Sequence, residues 1–349
     1  MSRTAVPDET RRSGIQQEFA NLSVGQRCAL YAALVLFYLL LVLAGLSLRE
    51  KTENLTIIWP AAGLLFMVLW RLPRRLWIWI VATQVAIELG ISAFHSDHFT
   101  ILEYAPFALA NSIDGMVGAF VASRLIPNPV IPGIRIVLQF IAAVAIGAAA
   151  SAVLGAFAST HTLGGAHYLR EWQLWWAGNW LGSVCIAPIL MGWIIRIRAR
   201  ELSAPAAPPV EIMLIGGGLL AMTIWVFSAP PSGITTILDM PFSILALVVV
   251  AAFRFPPRWS TLLAAAVALL ASYYASRNLG PFAGDPSAFV RVGAAQLNIA
   301  AIVVLNFMLT VVLHEMRNTF TQLRTSDERY RNFIEQSSEA VWRIELDVP

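Results

Sequence analysis

The sequence contains ten apolar stretches that are long enough, or nearly long enough, to cross a lipid bilayer as helices. A transmembrane helix needs about 20 apolar residues to cross about 30 Å of hydrocarbon. The pattern predicts an all-α polytopic integral membrane protein with eight to ten transmembrane helices, ten being the preferred count. The two shortest, 55–70 and 241–255, are expected either to span fully or to enter the bilayer only in part. The stretches are 28–48, 55–70, 76–94, 101–126, 136–158, 172–195, 212–229, 241–255, 260–276 and 294–313.

The composition excludes several other classes of protein. Hydrophobic residues make up 58% of the chain and charged residues 13%, against about 45–50% and about 25% in soluble domains. A soluble single-core protein, a disordered protein and a nucleic-acid binder are therefore excluded. The two cysteines, Cys28 and Cys185, lie in apolar stretches. They cannot form a cysteine-rich metal site, and four histidines in predicted loops lack metal-ligand spacing, so we expect neither a metal nor a cofactor.

Basic residues are distributed unequally between the two sides of the predicted membrane. Of the 24 Lys and Arg residues, 19 lie on the side of the N-terminus. The remaining five, on the opposite side, are Arg49, Lys51, Arg170, Arg277 and Arg291. Because cytoplasmic loops are enriched in Lys and Arg, both termini are predicted to be cytoplasmic. Residues 1–27 then form a cytoplasmic leader, and 28–313 a transmembrane domain anchored by its first span.

The composition becomes polar and charged after residue 313. Leu313, Met316, Phe320 and Leu323 follow the spacing of a heptad seam, which favours pairing with a second helix. We expect a signalling helix over 314–325 and a homodimer formed through it. A capping-box pattern at 325–328 predicts a helix break near Arg324. Alternating residues over 340–346 predict the first strand of a further α/β domain, which would begin at 326 and be truncated at 349.

Four short motifs, in order, resemble the first membrane-associated sensor (MASE) family of bacterial signalling proteins. They cover roughly residues 30–315, and Asn179 stands where that family usually has an acid. Residues 326–342 resemble the opening of a PAS domain. The resemblance implies a bacterial inner-membrane sensor with a histidine kinase or diguanylate cyclase downstream. The motifs are Trp59–Gly63, Asn111–Asp114, Trp175–Gly182 followed by Ala187 and Pro188, and Pro241–Phe255.

Polar residues within the apolar stretches are the candidate signal-sensing residues. Ionisable groups in a bilayer are costly and must face protein or water. A cavity that opens to the outer face would bring these residues together. Two alternatives stay open: the tryptophans forming an interfacial aromatic belt, and Asp114 with Asn111 acting only as interhelical hydrogen-bonding groups. The candidates are Trp59, Pro60, Glu88, Asn111, Asp114, Trp175, Trp176 and Asn179.

One local pattern occurs twice. Arg71-Leu72-Pro73-Arg74-Arg75 and Arg254-Phe255-Pro256-Pro257-Arg258 share the pattern Arg, apolar residue, Pro, any residue, Arg, and each lies at the end of one of the two shortest apolar stretches. The pattern fits a duplicated unit, and it equally fits the ordinary placement of Arg and Pro at loop ends.

The sequence favours a sensory input module that signals through the last span. Its expected partners are the lipid bilayer, a second copy of the chain, and a signal that is a small molecule or another membrane protein. A transporter or carrier is the alternative, because carriers also use repeats and proline-broken spans. A membrane enzyme is a weaker alternative, since no catalytic constellation is present. The chemical signal cannot be derived from the sequence.

Overall fold

The protein is described by a computed structural model. The described residues are 22–50, 56–95, 100–126, 133–162, 167–196, 208–230, 240–284 and 287–346. Within them there are ten α-helices and no β-strand, apart from one isolated bridge between Arg49 and Thr56. The helices are α1 (Val24–Ser47), α2 (Pro60–Arg71), α3 (Trp77–His95), α4 (Ile101–Leu125), α5 (Ile134–Thr162), α6 (Tyr168–Arg196), α7 (Pro209–Ser228), α8 (Ser243–Arg254), α9 (Pro257–Ala275) and α10 (Ala288–Leu346).

Each helix overlaps one of the ten predicted stretches. In the described part of the chain, seven are long and apolar enough to cross a membrane. The exceptions are α9, which is more polar, and α2 and α8, which have 12 residues each. Twelve residues of helix extend only about 18 Å. The all-helical prediction is therefore confirmed, and the apolar helices indicate an integral membrane protein.

The short helices α2 and α8 have matching exits. Both end in Arg, and the next residues, Leu72 and Phe255, are extended, with φ, ψ of −91°, 154° and −98°, 150°. Pro73 and Pro256 follow, with φ near −58° in both. The repeated sequence pattern thus encodes the same local backbone at both places.

The helices around α2 and around α8 also pack in a similar way. Helices α1 and α4 each contact both α2 and α3, and in the same way α7 and α10 each contact both α8 and α9. Helices α5 and α6 lie between these two four-helix units in sequence, and α6 contacts α2 in the first unit and α9 and α10 in the second. The matching contacts favour a duplicated unit over the ordinary placement of Arg and Pro at loop ends.

The chain before α2 enters the bundle without helical structure. The Trp59 amide donates to the carbonyl of Gly178 at 3.0 Å, about 15 Å along α6 from its first residue. Ile57 and Ile58 are fully buried. Non-helical backbone at this depth is tolerated only where protein or a cavity covers it. The described part of the stretch 55–70 is therefore a non-helical segment at 56–59, which we call the extended segment, followed by a short helix.

The last helix corrects two predictions. It is continuous from Ala288 to Leu346, so it neither breaks near Arg324 nor gives way to a strand over 340–346. Residues 314–346 contain no Gly or Pro. The helix is supported by two i,i+4 ion pairs, Arg324–Glu328 at 3.0 Å and Arg331–Asp327 at 3.1 Å. Thr325 donates to the Thr321 carbonyl instead of capping a new helix.

Candidate functional site: a buried polar network

Glu88 on α3 is the centre of a hydrogen-bond network inside the first four-helix unit. Its side chain is buried, and each carboxylate oxygen accepts one hydrogen bond from another helix. The Tyr38 hydroxyl of α1 donates to Oε1 at 2.5 Å. Asn111 Nδ2 of α4 donates to Oε2 at 3.0 Å. A carboxylate inside a bundle needs such donors, because an uncompensated one is costly to bury.

The network continues through Asn111 to α6 and α5. Asn179 Nδ2 lies 3.3 Å from Asn111 Oδ1 and 3.4 Å from Ser151 Oγ. Ser151, on α5, also accepts from Trp175 Nε1 at 2.9 Å. Side chains of five helices are thereby joined. An amide at position 179 supplies the donor that this connection requires, which a carboxylate there would lack unless protonated.

A second pair of polar groups lies one turn before Glu88. Gln84 Nε2 donates to the Ala108 carbonyl at 3.0 Å, and Ser112 Oγ donates to Gln84 Oε1 at 2.5 Å. Both side chains are buried. They join α3 to α4 beside the main network.

Asp114 is buried one turn after Asn111, with 3% of its surface exposed. Its Oδ2 has no hydrogen-bond partner in the described part of the chain. Both carboxylate oxygens of Glu88, by contrast, accept hydrogen bonds. Asp114 therefore provides an unused acceptor at the centre of the bundle, available to a ligand, a proton or a water molecule.

Trp59 and Pro60 lie where the extended segment turns into α2. Pro60 is the first helical residue, a position that suits proline because no intrahelical N–H bond is lost. The stretch 55–70 is therefore interrupted at Pro60, which begins its helical part. The buried Trp59 Nε1 has no described partner, which adds an unused donor to the same part of the bundle.

Trp175 and Trp176 both donate hydrogen bonds to α5. Trp175 bonds Ser151 and stacks on Phe107 with ring centroids 5.7 Å apart. Trp176 Nε1 donates to the Ala145 carbonyl at 3.1 Å. The indole N–H groups are thus used inside the bundle, whereas an interfacial belt would direct them to headgroups. Trp176 also belongs to a stacked series, Trp172, Trp176 and Trp180, with centroids 6.1 and 5.8 Å apart.

A small groove with a cavity volume of about 60 Å³ lies between α1, α2 and α3 and borders the network. Its walls are apolar except at Tyr31, Tyr38, Thr83 and Gln84. The groove lies in the half of the bundle that contains the start of α1 and the end of α2. The sequence led us to expect a cavity in the opposite half, and this groove does not match that expectation. The apolar walls of the groove lead to Tyr38 and Gln84.

The sequence did not single out Tyr38, Ser151 or Gln296 as site residues. Gln296 on α10 donates to the backbone carbonyls of Ile57 at 3.1 Å and Leu174 at 3.2 Å. Tyr and Ser are common in transmembrane helices, so only a position near the middle of a span could have identified Tyr38 and Ser151 as candidate site residues. The polarity of Gln296 within an apolar stretch is a signal that could have identified it, but its partners are 239 and 122 residues away in sequence.

Among the described residues, no group of three or more His, Cys, Asp or Glu side chains is placed to hold a metal ion. The site therefore consists of hydrogen-bonding groups and one unpaired carboxylate oxygen. Such an arrangement can bind a polar group, or can exchange hydrogen-bond partners when a neighbouring helix moves.

Comparison with known proteins identifies the family. No curated protein and no solved structure matches the chain. The MASE1 family model matches residues 29–317, which include all ten helices up to the point where α10 leaves the bundle. MASE1 domains are membrane sensory input domains of signalling proteins. The chain therefore belongs to the MASE1 family of membrane-associated sensors.

Proposed function

We propose that the chain is the input module of a bacterial inner-membrane signalling protein, and that the buried network perceives a periplasmic or intramembrane signal. The signal passes through α10 to a PAS domain and then to an output domain of the histidine kinase or diguanylate cyclase type. The resemblance of residues 326–342 to a PAS opening supports the order of these parts. The apolar groove beside Tyr38 and Gln84 favours a signal that is soluble in the membrane.

The observation that carries this proposal is that α10 both contacts the site and leaves the bundle. Through Gln296 it holds the extended segment at Ile57. Near its start, Arg291 forms a buried ion pair with Glu50, which lies just after the end of α1, at 3.2 Å. The same helix continues without a break to Leu346. A shift of the segment on ligand binding would therefore act directly on the helix that transmits the signal.

The proposed topology has ten membrane crossings with both termini in the cytoplasm. Its support is the unequal distribution of basic residues and the match of ten helices to ten apolar stretches. In a chain without Cys28 and Cys185, single cysteines at Thr162 and Arg277 should react with a membrane-impermeant thiol reagent in whole cells. Cysteines at Arg74 and Arg258 should react only after lysis. Labelling of Arg74 or Arg258 from outside would contradict ten crossings.

The exposed part of α10 supports a homodimer. Met316, Phe320 and Leu323 are 49%, 69% and 65% exposed, although they lie on one seam of the helix. Two copies in one membrane would present this seam in the same direction, so a parallel pair would bury it.

A chimera tests the proposal. Residues 1–346 are joined in heptad register to the catalytic core of a histidine kinase, and autophosphorylation is measured in membranes. Asn179→Ala removes a donor of the network, and Asp114→Asn removes the charge of the carboxyl group one turn after Asn111, so each should change basal kinase activity at least threefold. Thr223→Val is the matched control: its buried hydroxyl bonds only the Leu219 carbonyl of its own helix. Unchanged activity in both network variants would contradict the proposal.

A carrier is the second candidate. The extended segment inside the bundle and the two four-helix units are features that carriers use to build substrate sites. In a carrier, network variants would alter uptake of a substrate and leave the kinase activity of the chimera at the wild-type level.

A further inference from the structure

Two arginines flank one lipid-facing aromatic ring where α2 and α4 end and α3 begins. The Cζ atoms of Arg74 and Arg124 each lie 5.1 Å from the ring centroid of Phe120. The two guanidinium groups are therefore at most about 10 Å apart. Phe120 is 43% exposed, and both arginines are exposed. On a membrane protein this surface faces lipid at the level of the headgroups.

In the part of the chain that the structure describes, no acidic side chain neutralises the positive charge at this place. Neither Arg74 nor Arg124 forms an ion pair in the described part of the chain. No Asp or Glu occurs in 54–87 or 115–170 of the sequence. The acid that reaches this end from α10, Glu315, accepts a bond from the Ile134 amide at 3.4 Å.

The surrounding contacts fix the position of Arg74. Its Nη2 lies 3.4 Å from Ser123 Oγ, and its Cζ lies 5.8 Å from the Trp77 ring. Trp77 is in turn held by a hydrogen bond from Nε1 to the Leu69 carbonyl at 2.9 Å. Arg71, buried at the end of α2, adds a third cation whose Nε and Nη2 have no described partner.

We propose that Arg74 and Arg124 bind the phosphodiester of an anionic phospholipid, with Phe120 between them in contact with the top of an acyl chain. Guanidinium groups bind phosphate with paired hydrogen bonds, and basic pockets between transmembrane helices on the cytoplasmic side bind anionic headgroups. A phosphate placed between the two groups would satisfy both, which no side chain of the described protein does.

Native mass spectrometry of the full chain, titrated with phosphatidylglycerol or phosphatidylcholine from detergent, tests the proposal. The wild type should bind the first lipid at least fivefold more tightly than the second. Arg74→Gln and Arg124→Gln should each weaken phosphatidylglycerol binding about fivefold, and the double variant about twentyfold. Arg254→Gln is the matched control, since Arg254 is exposed at the same side of the proposed topology but is paired with Glu211; it should stay within twofold.

Both side chains are exposed, so thermal unfolding in zwitterionic detergent should be the same for all variants. A double variant that binds phosphatidylglycerol within twofold of the wild type would overturn the proposal. Equal wild-type affinity for the two lipids would also overturn it. Displacement of the lipid by millimolar inorganic phosphate would assign the site to a soluble anion instead.

Discussion

Replacing Glu88 by Leu would leave the Tyr38 hydroxyl and the Asn111 amide without their acceptor inside the bundle. Each of the two buried donors left unpaired costs about 1–3 kcal/mol, so we expect Glu88→Leu to lower the free energy of unfolding by about 2–6 kcal/mol. Asp114→Asn should lower it by less than about 1 kcal/mol, because Oδ2 of Asp114 has no bond to lose. Thermal unfolding in one detergent compares the two variants. Equal losses would mean that the hydrogen bonds of Glu88 contribute little.

The ion pair between Glu50 and Arg291 offers a second test at the level of single residues. The side chains are 4% and 12% exposed, and removing one partner of such a buried pair costs about 3–5 kcal/mol. Glu50→Gln should therefore destabilise the protein strongly. Glu211→Gln is the matched control, because its pair with Arg254 is 34% and 53% exposed and exposed pairs contribute about 0–1 kcal/mol. Similar melting temperatures for the two variants would show that the Glu50 pair is not energetically important.

The contact between α2 and α6 depends on a glycine. A Cβ atom at position 182 would lie 1.8 Å from the Trp59 carbonyl oxygen, so Gly182→Ala must displace the extended segment. We expect a loss of more than about 3 kcal/mol, or no folded protein. Gly217→Ala on α7 is the control, since nothing lies within 4 Å of its Cβ position and alanine is the better helix former by about 1 kcal/mol. Normal folding of Gly182→Ala would contradict the close packing of these elements.

The helices could be predicted from the sequence because apolar length decides where a chain crosses a membrane. The extended segment before Pro60 could not, since its residues are as apolar as the helix after it. It is non-helical because Gly178 and Gly182 of α6 allow its backbone to approach and bond. The prediction of a helix break near Arg324 was wrong because it relied on a local capping pattern alone. Such a pattern does not interrupt a helix whose i,i+4 ion pairs continue through it.

The candidate site could be predicted in part. Glu88, Asn111 and Asn179 stood out because polar groups within spans must face protein, and the structure joins them by hydrogen bonds. The sequence could not show that Asp114 keeps an unpaired oxygen, because that depends on which helices lie opposite it. The contact of Gln296 with Ile57 likewise depends on how the two four-helix units pack.

At the scale of the whole molecule, α10 should transmit rotation. Arg317 on α10 donates to the Phe253 carbonyl at 2.5 Å, and residues 319–335 after it are exposed, so deletions in that part alter the helix without removing side chains buried in the bundle. Each residue removed from an α-helix rotates the rest of the helix by about 100°. In the kinase chimera, deleting Thr321, or Thr321 with Gln322, should therefore lock the activity in a high or a low state. Deleting the seven residues 321–327 returns the heptad to within about 20° of its original phase and should restore regulation.

If the connection between the membrane domain and the output domain were flexible, the kinase activity would depend only on the length of the connection. The order of effects would then be reversed. The seven-residue deletion would then be the most damaging and the single deletion the least. Crosslinking provides an independent measurement. If two α10 helices pair along the heptad seam, cysteines at Leu313 and Phe320 should form disulfide-linked dimers in membranes far faster than cysteines at Arg317 and Thr321. Equal rates at the four positions would mean that the helices are not paired in a fixed phase, and rotation would then have no partner helix against which to act.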